Sequence, residues 1–133
     1  MKNLPSHEVY QRLVSDDNAV LIDCRSAAEW THIGTPDLMA VNKQVILESV
    51  ADEAGRPNPA FLEKITATIG TSTPVYVICR VGQRSAYVCQ LLLANGYTDV
   101  CNVSDGFEGV PDQNGHRANI NGWKFHNLPW RQG

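Results

Sequence analysis

Cys79 stands where an apolar run, Val75-Tyr76-Val77-Ile78, gives way to a short loop of basic and flexible residues, Arg80-Val81-Gly82-Gln83-Arg84-Ser85. A thiol in that setting is a candidate nucleophile. The run reads as a strand buried on both faces of a parallel sheet. Beyond the loop, Ala86, Cys89, Leu92 and Leu93 recur at helical spacing and Asn95-Gly96 supplies a stop, so a helix is predicted from Gln83 or Arg84 to Ala94. Cys79 therefore precedes a helix N-terminus, where inward-facing backbone N–H groups and the helix dipole stabilise an anion. A thiolate is such an anion, and it is the nucleophilic form of cysteine.

The neighbours of the thiol divide by role. Arg80 either projects to the mouth to meet an anionic substrate or is simply solvated. A cation at a helix start is disfavoured by the dipole, so Arg84 serves either the loop geometry or a bound anion. Ser85 either caps the helix, the reading preferred here, or offers its hydroxyl to the sulfur. Upstream, Asp23, Arg25 and Glu29 form a second polar set, in which Arg25 and Glu29, four residues apart and oppositely charged, are expected to pair. His7, His32, His116 and His126 have no metal-ligand spacing with the cysteines, so neither a metal nor any other cofactor is called for.

The run Cys79-Arg80-Val81-Gly82-Gln83-Arg84-Ser85 resembles the active-site loop C-R-x-G-x-R-S of the rhodanese family of sulfurtransferases. Val20-Leu21-Ile22-Asp23-Cys24-Arg25-Ser26-Ala27-Ala28-Glu29-Trp30 is similar to the family's strand ending in D-x-R followed by E and an aromatic. Thr31-His32-Ile33-Gly34-Thr35-Pro36 departs from the usual G-H-I-x-G-A. Val103-Ser104-Asp105-Gly106-Phe107-Glu108-Gly109 resembles the family's N-V-x-G-G-F turn, again with substitutions. The resemblance implies an α/β fold, a parallel sheet with helices on both faces. It also implies a substrate site made by Arg80, Val81, Gly82, Gln83, Arg84 and Ser85, with Asp23 and Arg25 on the substrate side.

It further implies a reaction. Cys79 takes the outer sulfur of a small anionic donor such as thiosulfate, holds it as a persulfide, and passes it to cyanide or to a small-molecule or protein thiol. Phosphatases and arsenate reductases of related fold place five residues between Cys and Arg. Here four separate Cys79 from Arg84, a smaller cup that suits sulfur better than a phosphoryl group. A persulfide carrier for a specific partner is the other alternative.

The 133 residues suit one domain, with 111–133 as an irregular tail whose Trp123, Phe125, Leu128 and Trp130 are too apolar to remain in solvent. Covering the sheet is preferred for that tail over rimming the pocket. A net charge of −3 and a pI near 5.7 argue against nucleic-acid and membrane partners, and with no signal-like segment the protein is expected to be cytoplasmic. Cys24, Cys89 and Cys101 are read as buried structural thiols.

The remaining elements alternate. Ser6 is predicted to cap a helix from His7 to Ser15, followed by a strand at Ala19 to Asp23 and a short helix at Ala27 to Thr31 capped by Ser26. Leu38 to Val41 and Gln44 to Leu47 read as strands, Pro59 to Ile69 as a helix and Asp99 to Val103 as the last strand. Such a sheet puts its chemistry at the carboxyl ends of its strands, where Cys79 lies.

Overall fold

Strands that must bury both faces need alternate side chains that are apolar in both directions, and three segments of this chain meet that demand. In the computed structural model, which describes residues 1–132, β2 (Val20–Asp23), β5 (Val75–Ile78) and β6 (Val100–Val103) form the middle of a five-stranded parallel sheet. Two short edge strands complete it, β1 (Lys2–Leu4) beside β6 and β4 (Ile46–Leu47) beside β2. The order is β1-β6-β5-β2-β4.

The period-2 alternation sorts side chains into two cores. On one face Ile22, Val75, Val77 and Val100 meet Phe61 and Ile65 of α3 (Phe61–Thr68) and Val88, Cys89 and Leu92 of α4 (Gln83–Ala94). On the other, Leu21, Tyr76, Ile78, Cys101 and Val103 meet Val9 and Leu13 of α1 (Ser6–Ser15), together with Phe107 and Trp123. Helices thus cover both faces, as the alternation of elements implies. Among the described residues no helix is long and apolar enough to cross a membrane.

Several local expectations are corrected. Ser6 does not cap α1 from outside; it is the first helical residue, and its N–H and hydroxyl both donate to the carboxylate of Asp105, at 2.8 and 2.9 Å. A carboxylate brought from 99 residues away does the capping, which no local pattern can reveal. Leu38 to Val41 is not a strand. Met39–Val41 is a single 3-10 turn closed by Asn42 in the left-handed region, φ 63°, while Lys43 donates to the carbonyls of Asp16, Asp17 and Ala19 and anchors the segment as a loop. Only Ile46–Leu47 of the next stretch pairs. α2 (Ala27–His32) starts at Ser26 as expected, with a complete capping box: Ser26 Oγ accepts from the Glu29 N–H, and Glu29 accepts from the Ser26 N–H.

The tail contributes to the second core. Trp123 is fully buried, lies edge-on to Tyr10 at 5.7 Å between centroids, and donates its Nε1–H to Pro129 O at 2.7 Å. The chain ends in β7 (Trp130–Arg131), paired antiparallel with β3 (Thr35–Pro36).

Candidate active site

β5 ends at Ile78, and the chain must turn within four residues to begin α4 at Gln83. Gly82 makes the turn possible. Its φ is 102°, and a Cβ there would lie 2.5 Å from Ser104 O. The curl brings two backbone amides onto one atom: the N–H of Gly82 donates to Cys79 Sγ at 3.1 Å and that of Ser85 at 3.3 Å. Ser85 Oγ lies 3.2 Å from the same sulfur. Cys79 is 1% exposed, so its sulfur sits inside a cradle of donors at the positive end of a twelve-residue helix.

The turn after β6 braces this loop from behind. Phe107 N–H donates to Cys79 O at 2.8 Å, and Glu108 and Gly109 N–H both donate to Arg80 O, at 3.0 and 3.2 Å. Gly106, at φ 68°, is needed because a Cβ would run into the Arg80 carbonyl. The tail then braces the brace, through Trp123 N–H to Gly106 O at 2.9 Å and Lys124 N–H to Phe107 O at 3.1 Å. Its link to the thiol is thus indirect.

Each site residue expected from sequence has a definite place. Arg80 is half exposed and its Nε lies 3.2 Å from Glu108 Oε2, so its charge is partly balanced at the loop's rim. Val81 is half-buried and Gln83 exposed. Arg84 grips Glu29 with both terminal nitrogens, at 2.7 and 3.0 Å. Partial burial of Glu29 opposes its ionisation, but these hydrogen bonds, the Arg84 charge and the Ser26 amide outweigh that and hold its carboxyl down at about 2. The Glu29 hydrogen bonds raise the Arg84 guanidinium above its ordinary value in turn, against the effect of its burial.

The expected Arg25–Glu29 pair therefore does not form. Glu29 is the partner of Arg84, while Arg25 turns inward to Asp23, with Nε to Oδ1 at 3.0 Å and Nη2 to Oδ2 at 2.7 Å. Both residues are fully buried, and the Arg25 guanidinium lies over the Phe107 ring, 4.3 Å from its centroid. Nη2 also donates to Gly34 O at 2.7 Å, while Nη1 has no partner among the described residues. Spacing suggested the i,i+4 pair, but Arg25 precedes α2 and does not share its face.

Ser85 is not a cap either. Gly82 occupies the N-cap position of α4, and the Ser85 side chain points back into the cradle, donating to Asn102 Oδ1 at 2.5 Å. Asn102 is a residue that the pattern of β6 does not single out: a buried amide in an otherwise apolar strand, with Nδ2 donating to Gly82 O and to Asn3 Oδ1, both at 3.1 Å. A polar residue inside a buried strand was the available signal.

Alongside the loop, Gln83, Arg84, Tyr87 and Leu91 of α4 form one wall of a mostly apolar groove of about 540 Å³, with Pro59 and Phe61 opposite.

Residues 3–133 match the family model described as the STR4 middle domain. A crystal structure of Rv0390 from M. tuberculosis superposes with a TM-score of 0.93 at 36% identity, covering 100% of this chain and 98% of that one. An uncharacterized protein RP600 homolog of Rickettsia rickettsii is 34% identical over 131 residues, 98% of each chain. The chloroplastic rhodanese-like domain-containing protein 4 of Arabidopsis thaliana is 28% identical over 123 residues, 91% of this chain and 24% of that protein.

Proposed function

The chain belongs to the STR4 middle domain family, within the rhodanese-like superfamily, and on that premise we propose that it is a sulfurtransferase working through a persulfide on Cys79. The observation that carries this reading is the set of donors on Cys79 Sγ: two backbone amides at 3.1 and 3.3 Å, at the start of α4. Fixed donors aimed at one sulfur stabilise a thiolate before reaction and a persulfide after it, without reorganisation at either stage.

The steps balance without an outside oxidant. The Cys79 thiolate attacks the outer sulfur of thiosulfate, an S–S bond forms, and the bond to the central sulfur breaks with its electron pair leaving on sulfite. A thiolate or cyanide then attacks the outer sulfur of the persulfide, and the Cys79 thiolate is restored. Arg80, the exposed cation of the loop, draws the dianion toward the cradle through a screened field. Arg84, spent on Glu29, holds the loop. The donor this loop suits is a small anion, and the acceptor is cyanide or a small-molecule or protein thiol.

Intact-mass measurement after incubation with thiosulfate tests the proposal. The expected result is one added sulfur on Cys79, removed by cyanide as thiocyanate. Sulfur mapped to another cysteine, or robust hydrolysis of aryl phosphates by the unmodified protein, overturns it.

A further inference from the structure

The Ser85–Asn102 contact carries a consequence for the cysteine that no family resemblance assigns. Gly82 O can only accept, so the Asn102 group 3.1 Å from it must be the NH2. The other amide hydrogen goes to Asn3 Oδ1. Oδ1 is thereby fixed toward Ser85, and it too can only accept. Ser85 has one hydroxyl proton, and the 2.5 Å separation places that proton between the two oxygens. What Ser85 then presents to Cys79, 3.2 Å away, is a lone pair. That arrangement suits a thiol, which can donate. It does nothing for a thiolate.

We propose that Asn102 is a positioning residue acting through Ser85: it holds the hydroxyl proton away from Cys79, so that the backbone amides of Gly82 and Ser85 alone serve the sulfur anion. The inference deepens the function above, since it takes Cys79 as the nucleophile. Its use is kinetic. A thiolate with fewer hydrogen bonds forms less readily but is more nucleophilic once formed. The Gly82 carbonyl, accepting from Nδ2, sets which way the Asn102 amide faces. Asn3, from the exposed edge strand, locks the amide from outside. The charged and titratable groups facing this sulfur are Arg84 from α4, Cys24 from the end of β2 and Cys89 from the next turns of α4, and none of them is altered in the test.

The experiment is the pH profile of Cys79 alkylation by iodoacetamide, followed by mass. Asn102→Leu frees the hydroxyl to donate to the anion, so the profile moves to lower pH by about one pH unit, and the rate on the high-pH plateau falls. Asn102→Asp keeps an acceptor on Ser85 and adds negative charge, so the profile moves to higher pH. Mere loosening of the loop would move both variants the same way. On a Ser85→Ala background Asn102→Leu has no further effect. Asn3→Ala, at the surface, gives a smaller shift in the direction of Asn102→Leu and decides the matter if the buried variants do not fold.

Shifts of the same sign for Leu and Asp, a Leu effect that persists without the Ser85 hydroxyl, or an unmoved profile in Asn3→Ala overturns the proposal. Alkylation of the sulfur-free protein reads the Cys79 thiol independently of any sulfur transfer. A protein that alkylates as expected but takes no sulfur from thiosulfate defeats the sulfurtransferase reading alone.

Discussion

Cys79 and Cys24 end adjacent strands, face the same core and are both essentially inaccessible to solvent, at 1% and 0%, yet they keep opposite company. Cys24 Sγ donates to a carbonyl, Ile78 O at 3.5 Å. Cys101 does the same toward Asn102 O at 3.6 Å. Burial, first of all, pushes the thiols of Cys24, Cys89 and Cys101 up, that of Cys101 to about 11 and that of Cys89 to about 12. Cys79 Sγ, by contrast, receives N–H groups. On the proposed function, what separates Cys79 from Cys24 and Cys101 is the direction of the hydrogen bonds around the sulfur and not its depth, and the chain sets that direction at Cys79 by curling the loop between β5 and α4 around it.

The contrast is broken most directly by removing the sulfur. Cys79→Ser abolishes sulfur uptake, whereas Cys24→Ala, Cys89→Ala and Cys101→Ala retain it and each lose about 1 kcal/mol of stability, to be read by mass after thiosulfate and by urea denaturation. Uptake lost in Cys24→Ala but kept in Cys79→Ser would invert the comparison.

A smaller effect is expected where the loop is pinned. Glu29→Gln removes the charged partner of Arg84 and costs about 1 to 2 kcal/mol at neutral pH. Because the Glu29 carboxyl is held at about 2 against an ordinary 4.5, the stability it supplies is present above about 4.5 and is lost as pH falls toward 2. The difference between wild type and Glu29→Gln in denaturation experiments should shrink across that window, and a difference independent of pH would remove the ion pair from the account. Smallest is Arg80→Ala. An exposed charge already shared with Glu108 is worth a roughly two- to fivefold rise in KM for thiosulfate, vanishing at high salt, with kcat unchanged.

What could be read from sequence follows the reach of its patterns. The strand Val75 to Ile78, the helix behind it and the cap at Ser26 are local, and local periodicity finds them. The special place of Cys79 is legible because strand, glycine and helix start are contiguous. The partners are not. Arg84 finds Glu29 at 55 residues' distance and Ser85 finds Asn102 at 17, and the nearest opposite charge to Glu29 in sequence, Arg25, belongs to Asp23. β1 is not legible in the sequence because a three-residue, largely exposed edge strand has no apolar alternation to display. Its identity comes wholly from the strand it joins.

That last feature bears on how the protein is made. Asn3 meets Asn102, and Ser6 meets Asp105, each across 99 residues, while the brace at Gly106 waits on Trp123. Contacts of such separation are slow to form and close only after the residues at both ends have been made. The loop that holds Cys79 is synthesised before Asn102, Gly106 and Trp123, so its contacts with them form only after those residues have been made. On the proposed function, the reactivity of Cys79 is expected only once these contacts have closed.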